Sequence, residues 1–153
     1  MYATKANPLL TPEETVSFFR NAATGLLIMR LSIAAFWAMW VSLKFYHPEW
    51  VGNIYGKDVV SGMSILDVAF FLGIVQALIV LAFALGAFRT FTYGALTIMH
   101  AYGLWTAVPR LLEWTTYPNN LLWTSVPTLG ALICLFLLRK ADAFSIDGMR
   151  AAR

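Results

Sequence analysis

Four long apolar stretches leave this sequence few ways to fold. Asn21–Leu43 carries one charge, Arg30, and Val68–Phe88 carries none, with Gln76 as its only strongly polar residue. Thr90–Pro109 carries none when His100 is neutral, and Leu121–Leu138 carries none at all. A helix crosses a bilayer with about 20 apolar residues, in a range of about 17 to 25, and all four stretches qualify. The runs are continuous, without the alternation of a β-barrel, so in hydrocarbon the backbone must satisfy itself as helix. Only 12% of the 153 residues are charged, half of the roughly 25% typical of soluble domains, so water is a poor solvent for this surface. The sequence predicts one all-α domain over residues 1–153, an integral membrane four-helix bundle with spans near 21–43, 68–88, 90–109 and 121–138.

Residues 1–20 carry Lys5, Glu13, Glu14 and Arg20 and lack a signal-peptide apolar run, so the first span is expected to be an uncleaved anchor. Thr11-Pro12-Glu13-Glu14 reads as a helix start with a capping box. With Val16, Phe18 and Phe19 following, it predicts a short amphipathic helix lying at the membrane surface before the first span. Residues 45–64 form the longest connection, Ser64 and Asp67 can cap the second span, and Phe88–Thr90 makes a tight hairpin turn. Pro127 is expected to kink the fourth span. One side of the membrane holds Lys5, Arg20, Arg89, Arg139, Lys140, Arg150 and Arg153; the other holds Lys44, Lys57 and Arg110. The positive-inside rule then places both termini in the cytoplasm of a cell, with the prokaryotic plasma membrane the expected location. The net charge of +3 lies at helix ends rather than on one patch, so nucleic acid is not an expected partner.

Counting inward from the span ends puts the midpoints near Ser32, Leu78, Met99–His100 and Leu129. Arg30, Gln76, His100 and Thr128 each fall within about one turn, roughly 5 Å, of the bilayer centre, so each span contributes one polar side chain. Exposing Arg to hydrocarbon costs about 2.5 to 3.5 kcal/mol even on the lenient scale, which turns such groups inward. Arg30 shares a stripe with Ala34, Trp37, Val41 and Lys44; Tyr93, Thr97 and His100 share one face of the third span. A hydrogen bond from Arg30 to Gln76 is expected, with His100 alongside. Two readings stay open: a buried pocket for a quinone head group or for proton relay, and interhelical hydrogen bonding that fixes register. The six tryptophans, Trp37, Trp40, Trp50, Trp105, Trp114 and Trp123, gather toward one interface, and Phe18, Phe19, Phe88, Phe91, Phe136 and Phe144 toward the other. The lone Cys134 excludes a dithiol mechanism, and no phosphate-binding glycine loop is present. His47 and His100 lie at different depths, which excludes bis-His haem ligation within one chain. No metal is expected, because the spacing of His47, Glu49, Asp58 and Asp67 is unspecific.

Met29-Arg30-Leu31 followed by Lys44-Phe45 resembles the first span of DoxX-type (DoxX/DoxD) membrane proteins, with Arg and then Lys fourteen positions later. Gly73, Leu81, Gly86 and Arg89 match the second span, and Phe144-Ser145-Ile146-Asp147 is similar to the family's Ser-Leu-Asp ending; Gln76 departs from the Glu of many relatives. The resemblance covers most of residues 25–147. It implies a four-helix membrane protein such as the small membrane subunit of thiosulfate:quinone oxidoreductase, or a membrane partner in redox-protective complexes, and it brings no universal catalytic residue. The combined expectation is a membrane subunit of a redox complex that handles quinone, with no covalently bound cofactor and no catalytic residue assigned. Arg30 would hold a carbonyl oxygen and His100 exchange the proton; Trp37 would pack on the ring, with Gln76 and Thr128 completing the site. The alternative is a non-catalytic accessory or assembly subunit. In both cases the partners are the lipid bilayer and other membrane or membrane-associated subunits. A small-solute transporter fits less well, because no span is broken into half-helices.

Overall fold

The computed structural model describes residues 11–49, 51 and 64–152. Among them every regular element is helical: α1 (Pro12–Tyr46), α2 (Ile65–Leu85), α3 (Arg89–Leu112), a 3-10 segment (Asn119–Thr124) continuing into α4 (Ser125–Leu137), and α5 (Ile146–Ala151). Among the described residues, three helices are long and apolar enough to cross a membrane: α1, α2 from Leu66, and the Asn119–Leu137 unit. α3, at 24 residues, is longer than two of these three but carries Thr90, Thr92, Thr97, His100 and Thr106.

α1 starts as its sequence dictates. The Thr11 hydroxyl accepts the Glu14 N–H at 3.3 Å, and the Thr11 N–H donates to Glu14 Oε2 at 2.7 Å, closing a capping box. The separate surface helix expected before the first span does not form. Gly25 is the only glycine in α1, no proline follows Pro12 within it, and one helix runs unbroken for 35 residues, about 52 Å at 1.5 Å per residue. α2 is capped by Ser64, whose hydroxyl accepts from Leu66 N and Asp67 N at 3.2 and 3.3 Å. It ends at Leu85, three residues earlier than expected, because Gly86 turns left-handed (φ 66°) and Phe88 follows (φ 50°). Two left-handed residues in three reverse the chain at once and start α3 at Arg89.

Pro127 does not kink a long helix. It sits in the first turn of α4, where its missing N–H has no intrahelical partner, and the change from 3-10 to α geometry falls just before it. The expected long connection at 45–64 is described only at its ends; residues 52–63, with Lys57 and Asp58, lie outside the described residues, as do Lys5, Trp50 and Arg153.

The core is built from one face of each long helix: Ile33, Trp37 and Val41 of α1, Val80 and Phe83 of α2, Tyr93 and Leu96 of α3, Leu132 and Leu135 of α4. Phe70, Phe71, Leu78, Ile98, Trp105 and Leu137 stand exposed on the outside, as suits a lipid-facing surface. Phe45 and Phe70 meet ring to ring at 5.5 Å, pairing the end of α1 with the start of α2. At the other end, a Cβ on Gly86 would lie 2.7 Å from Arg30 Nη1. The Arg30 guanidinium therefore marks the level at which α2 stops, and roughly four turns at the N-terminal end of α1 extend past it.

Candidate functional site

Arg30 is 2% exposed and Asp142 is fully buried. Arg30 Nη1 donates to Asp142 Oδ2 and, at 3.3 Å, to the Tyr93 hydroxyl, while Nη2 donates to the Phe144 carbonyl at 2.8 Å. Tyr93 Oη donates to the same Asp142 oxygen at 2.6 Å. A cation carried by α1 is thus neutralised by a carboxylate from the C-terminal segment, with α3 supplying the hydroxyl between them. Burying both charges costs several kcal/mol each, and only good geometry with further hydrogen bonds offsets that. Arg30 Nε and Asp142 Oδ1 have no hydrogen-bond partner, so the set is close to satisfied but incomplete.

The segment that brings Asp142 in is fixed at a second point. Arg89 Nη1 donates to the carbonyls of Arg139 and Asp142 at 2.7 and 2.9 Å. The Arg89 backbone N–H donates to Asp147 Oδ2 at 2.8 Å, and Asp147 N–H donates to Gly86 O at 3.2 Å. Phe88, the residue at the N-cap of α3, offers no side-chain cap, so a carboxylate from another part of the chain takes that role at the positive end of the helix. Ser145 holds the intervening turn, donating to Asp142 O at 2.6 Å and accepting from Gly148 N at 3.0 Å.

This geometry separates the expected polar layer into two levels. His100 lies seven residues beyond Tyr93, about 10 Å along α3, and Gln76 ten residues before Gly86, about 15 Å along α2. Arg30 does not bond Gln76; its guanidinium sits at the end of the bundle with Tyr93 and Asp142. The physical reason is that a helical side chain leans toward its own N-terminus and a long cationic one reaches for the polar edge, where Asp142 waits. His100 Nε2 shares a hydrogen bond with the Ser125 carbonyl at 2.9 Å, and its ring stands edge-on to Phe36 and Trp37 at 6.0 Å from each. Thr128 spends its hydroxyl on the Thr124 carbonyl at 2.8 Å. Of the five expected site residues, the structure brings Trp37 and His100 together and leaves Thr128 satisfied locally. Trp37 Nε1 and Gln76 Oε1, both buried, have no hydrogen-bond partner. Along the α1–α2 seam, a mainly apolar groove of about 580 Å³ is lined by Ala34, Ala38, Val41, Ala77, Val80 and Ala84, with Ser42 and Tyr46 toward one end; Trp37, Gln76 and His100 do not line it.

On the opposite side, His47 Nδ1 and Glu49 Oε1 pair at 3.1 Å, and no group of three potential metal ligands occurs among the described residues. Sequence reading missed Asp142 because Arg139-Lys140-Ala141-Asp142 looks like a solvated tail. Charge balance held the clue: Arg30 needs an anion, none of the four apolar stretches contains one, and Glu13, Glu14, Asp142 and Asp147 are the carboxylates near that end. No family model, curated protein or solved structure matches the chain.

Proposed function

We propose that this chain is a four-helix integral membrane subunit without chemistry of its own, an accessory or assembly member of a larger membrane complex. The observation that carries this reading is the use made of the inward-facing ionisable groups. Arg30, Tyr93 and Asp142 are spent on one another, and His100 on the Ser125 carbonyl. Groups fixed this way hold helices and tail in register, which is the role polar residues play between membrane helices. α3 completes the bundle as a fourth span: its 24 residues reach about 36 Å, and it packs between α2 and α4. Arg20, Arg89, Arg139, Lys140 and Arg150 share the end opposite Lys44 and Arg110, which favours both termini in the cytoplasm of a prokaryotic plasma membrane. The test is purification in mild detergent. The reading expects the chain to migrate with a larger complex whose activity survives His100→Ala and Gln76→Leu; migration alone, or loss of that activity in both variants, overturns it.

A second reading is favoured by the two unmet atoms on the α1–α2 seam. Trp37 Nε1 is a donor and Gln76 Oε1 an acceptor, and the groove between the same two helices has the apolar character an isoprenoid chain requires. In this reading the chain is the quinone-handling membrane subunit of a redox complex, as the DoxX-type resemblance implies, with the head group beside Trp37, Gln76 and His100 rather than beside Arg30. Quinone retained on purification and lost in Gln76→Leu supports it; equal retention in that variant removes it.

A further inference from the structure

We propose that the C-terminal segment from Arg139 to Ala151 is an exchangeable strap. It is an acidic peptide ligand seated in a cationic socket of the bundle, and its departure opens that socket to an acidic segment of a partner protein. The socket is built by the helices. Arg30 comes from α1, Tyr93 and Arg89 from α3, and the Arg89 N–H, which the N-cap residue Phe88 leaves without a side-chain acceptor, opens α3 at its positive end. The ligand is built by the tail, which presents two carboxylates five residues apart: Asp142 to Arg30 and Tyr93, Asp147 to the Arg89 N–H.

What marks the strap as exchangeable is the kind of contact that holds it. α5 has no fully buried residue; of the segment's large apolar side chains, Phe144 and Met149 stay exposed and Ile146 is half-buried. Hydrophobic burial, the term that makes most helix docking permanent, is therefore limited. Docking rests on ion pairs, backbone hydrogen bonds and a close fit. Gly86 lets Ser145 and Arg30 approach its Cα. The second independent sign is the incomplete satisfaction of the buried pair: Arg30 Nε and Asp142 Oδ1 each lack a partner, so the resident carboxylate does not use all the hydrogen-bonding capacity of the socket. A competing carboxylate meets the same donors, and its disadvantage is that the tethered tail acts at an effective concentration in the millimolar range. This inference concerns the end of the bundle and stands whichever of the two functional readings holds.

The experiment uses the full-length chain in nanodiscs, with Cys134→Ser and a nitroxide on Met149→Cys, at an exposed strap position. In the otherwise native chain the label is expected to be immobilised. Asp147→Asn, which weakens the α3 cap and removes the ion pair with Arg89 Nε at 3.9 Å, is expected to mobilise a fraction of it, and Asp142→Ala most of it. Sodium formate, which replaces the missing carboxylate, is expected to restore immobilisation in Asp142→Ala, whereas chloride at equal ionic strength does not. In Asp147→Asn, millimolar synthetic peptide spanning residues 139–153 is expected to raise the mobile fraction at least threefold, and the same peptide with both aspartates changed to asparagine is expected to leave it unchanged. A label that stays immobile in both variants shows a permanently packed tail and overturns the proposal. So does a peptide without effect on Asp147→Asn, which keeps the test decisive even if Asp142→Ala fails to fold.

Discussion

Changing Asp142 to Asn preserves the shape of the side chain and removes its charge. Arg30, 2% exposed, then keeps Tyr93 and the Phe144 carbonyl but loses the only carboxylate it contacts among the described residues. Breaking a buried pair from one side costs about 3–5 kcal/mol, because the surviving charge stays desolvated. The Asn oxygen can still accept a hydrogen bond, which places Asp142→Asn at the lower end, near ~3 kcal/mol. Arg30→Met leaves a buried carboxylate held by Tyr93 alone and is expected to cost about 3–5 kcal/mol. The double variant removes both charges, so no uncompensated buried charge remains. What it still loses is the hydrogen bond to Phe144 O, about 1 kcal/mol, and it leaves the buried amide of Asp142→Asn, about 1–3 kcal/mol where its N–H groups are unpaired. The cycle therefore predicts a double variant at least ~2 kcal/mol more stable than the sum of its parts. The assay is reversible unfolding in mixed micelles with increasing sodium dodecyl sulfate, followed by tryptophan fluorescence. Single variants that cost under ~1 kcal/mol, or a cycle that adds within ~0.5 kcal/mol, would refute the reasoning.

Other outcomes follow from the same geometry. Gly86→Ala adds a Cβ at a left-handed residue (φ 66°), 2.7 Å from Arg30 Nη1; a loss of about 1–3 kcal/mol is expected in the same unfolding assay, and a neutral effect would contradict the tail contact. Glu14 stands ahead of the apolar stretch of α1, and its carboxyl is held below the usual carboxylate range by the Thr11 N–H and then by its hydroxyl. Its stabilisation of the α1 start is complete above the unfolded Glu value near ~4.3 and is lost as pH falls through the lower folded value. Amide exchange at Thr11 should report that loss on acidification, and in Glu14→Gln the acid-dependent step should disappear. Gln76→Leu removes a buried acceptor that has no partner and is expected to be neutral or stabilising by up to ~1 kcal/mol; a loss above ~2 kcal/mol would mean that the Gln76 oxygen is bonded in the membrane.

The local parts of this structure were legible because their signals are local. Thr11 with Glu14 and Ser64 ahead of Asp67 each act within a few residues, and each forms; the tight turn expected at Phe88–Thr90 falls two residues earlier, at Gly86–Phe88. The depth of Arg30 was not legible. An apolar run shows that a helix can cross lipid, but α1 has 35 residues, more than a crossing needs, and which of them lie beside α2 is decided by packing. Asp142 was hidden for a related reason: it meets Arg30 across 112 positions, and nothing in Arg139-Lys140-Ala141-Asp142 distinguishes a docked strap from a solvated end. Pro127 misled because a proline inside an apolar run looks the same whether it kinks a helix or begins one. Gln76 and His100 face inward as their spacing required; their convergence with Arg30 was an inference from depth alone.

The pairing of Arg30 with Asp142 is tested most directly by a through-space measurement in lipid bilayers. Magic-angle-spinning NMR of chain carrying 15N-arginine and Cγ-13C-aspartate reads the nitrogen–carbon dipolar coupling, with Asp142→Asn as the control that removes one carbon. The account predicts a guanidinium nitrogen within about 4 Å of an aspartate Cγ, the range of a charge-assisted contact, and loss of that coupling in the control. A coupling spectrum unchanged by Asp142→Asn would mean that Arg30 is neutralised elsewhere, and the tail would have no place at the end of the bundle.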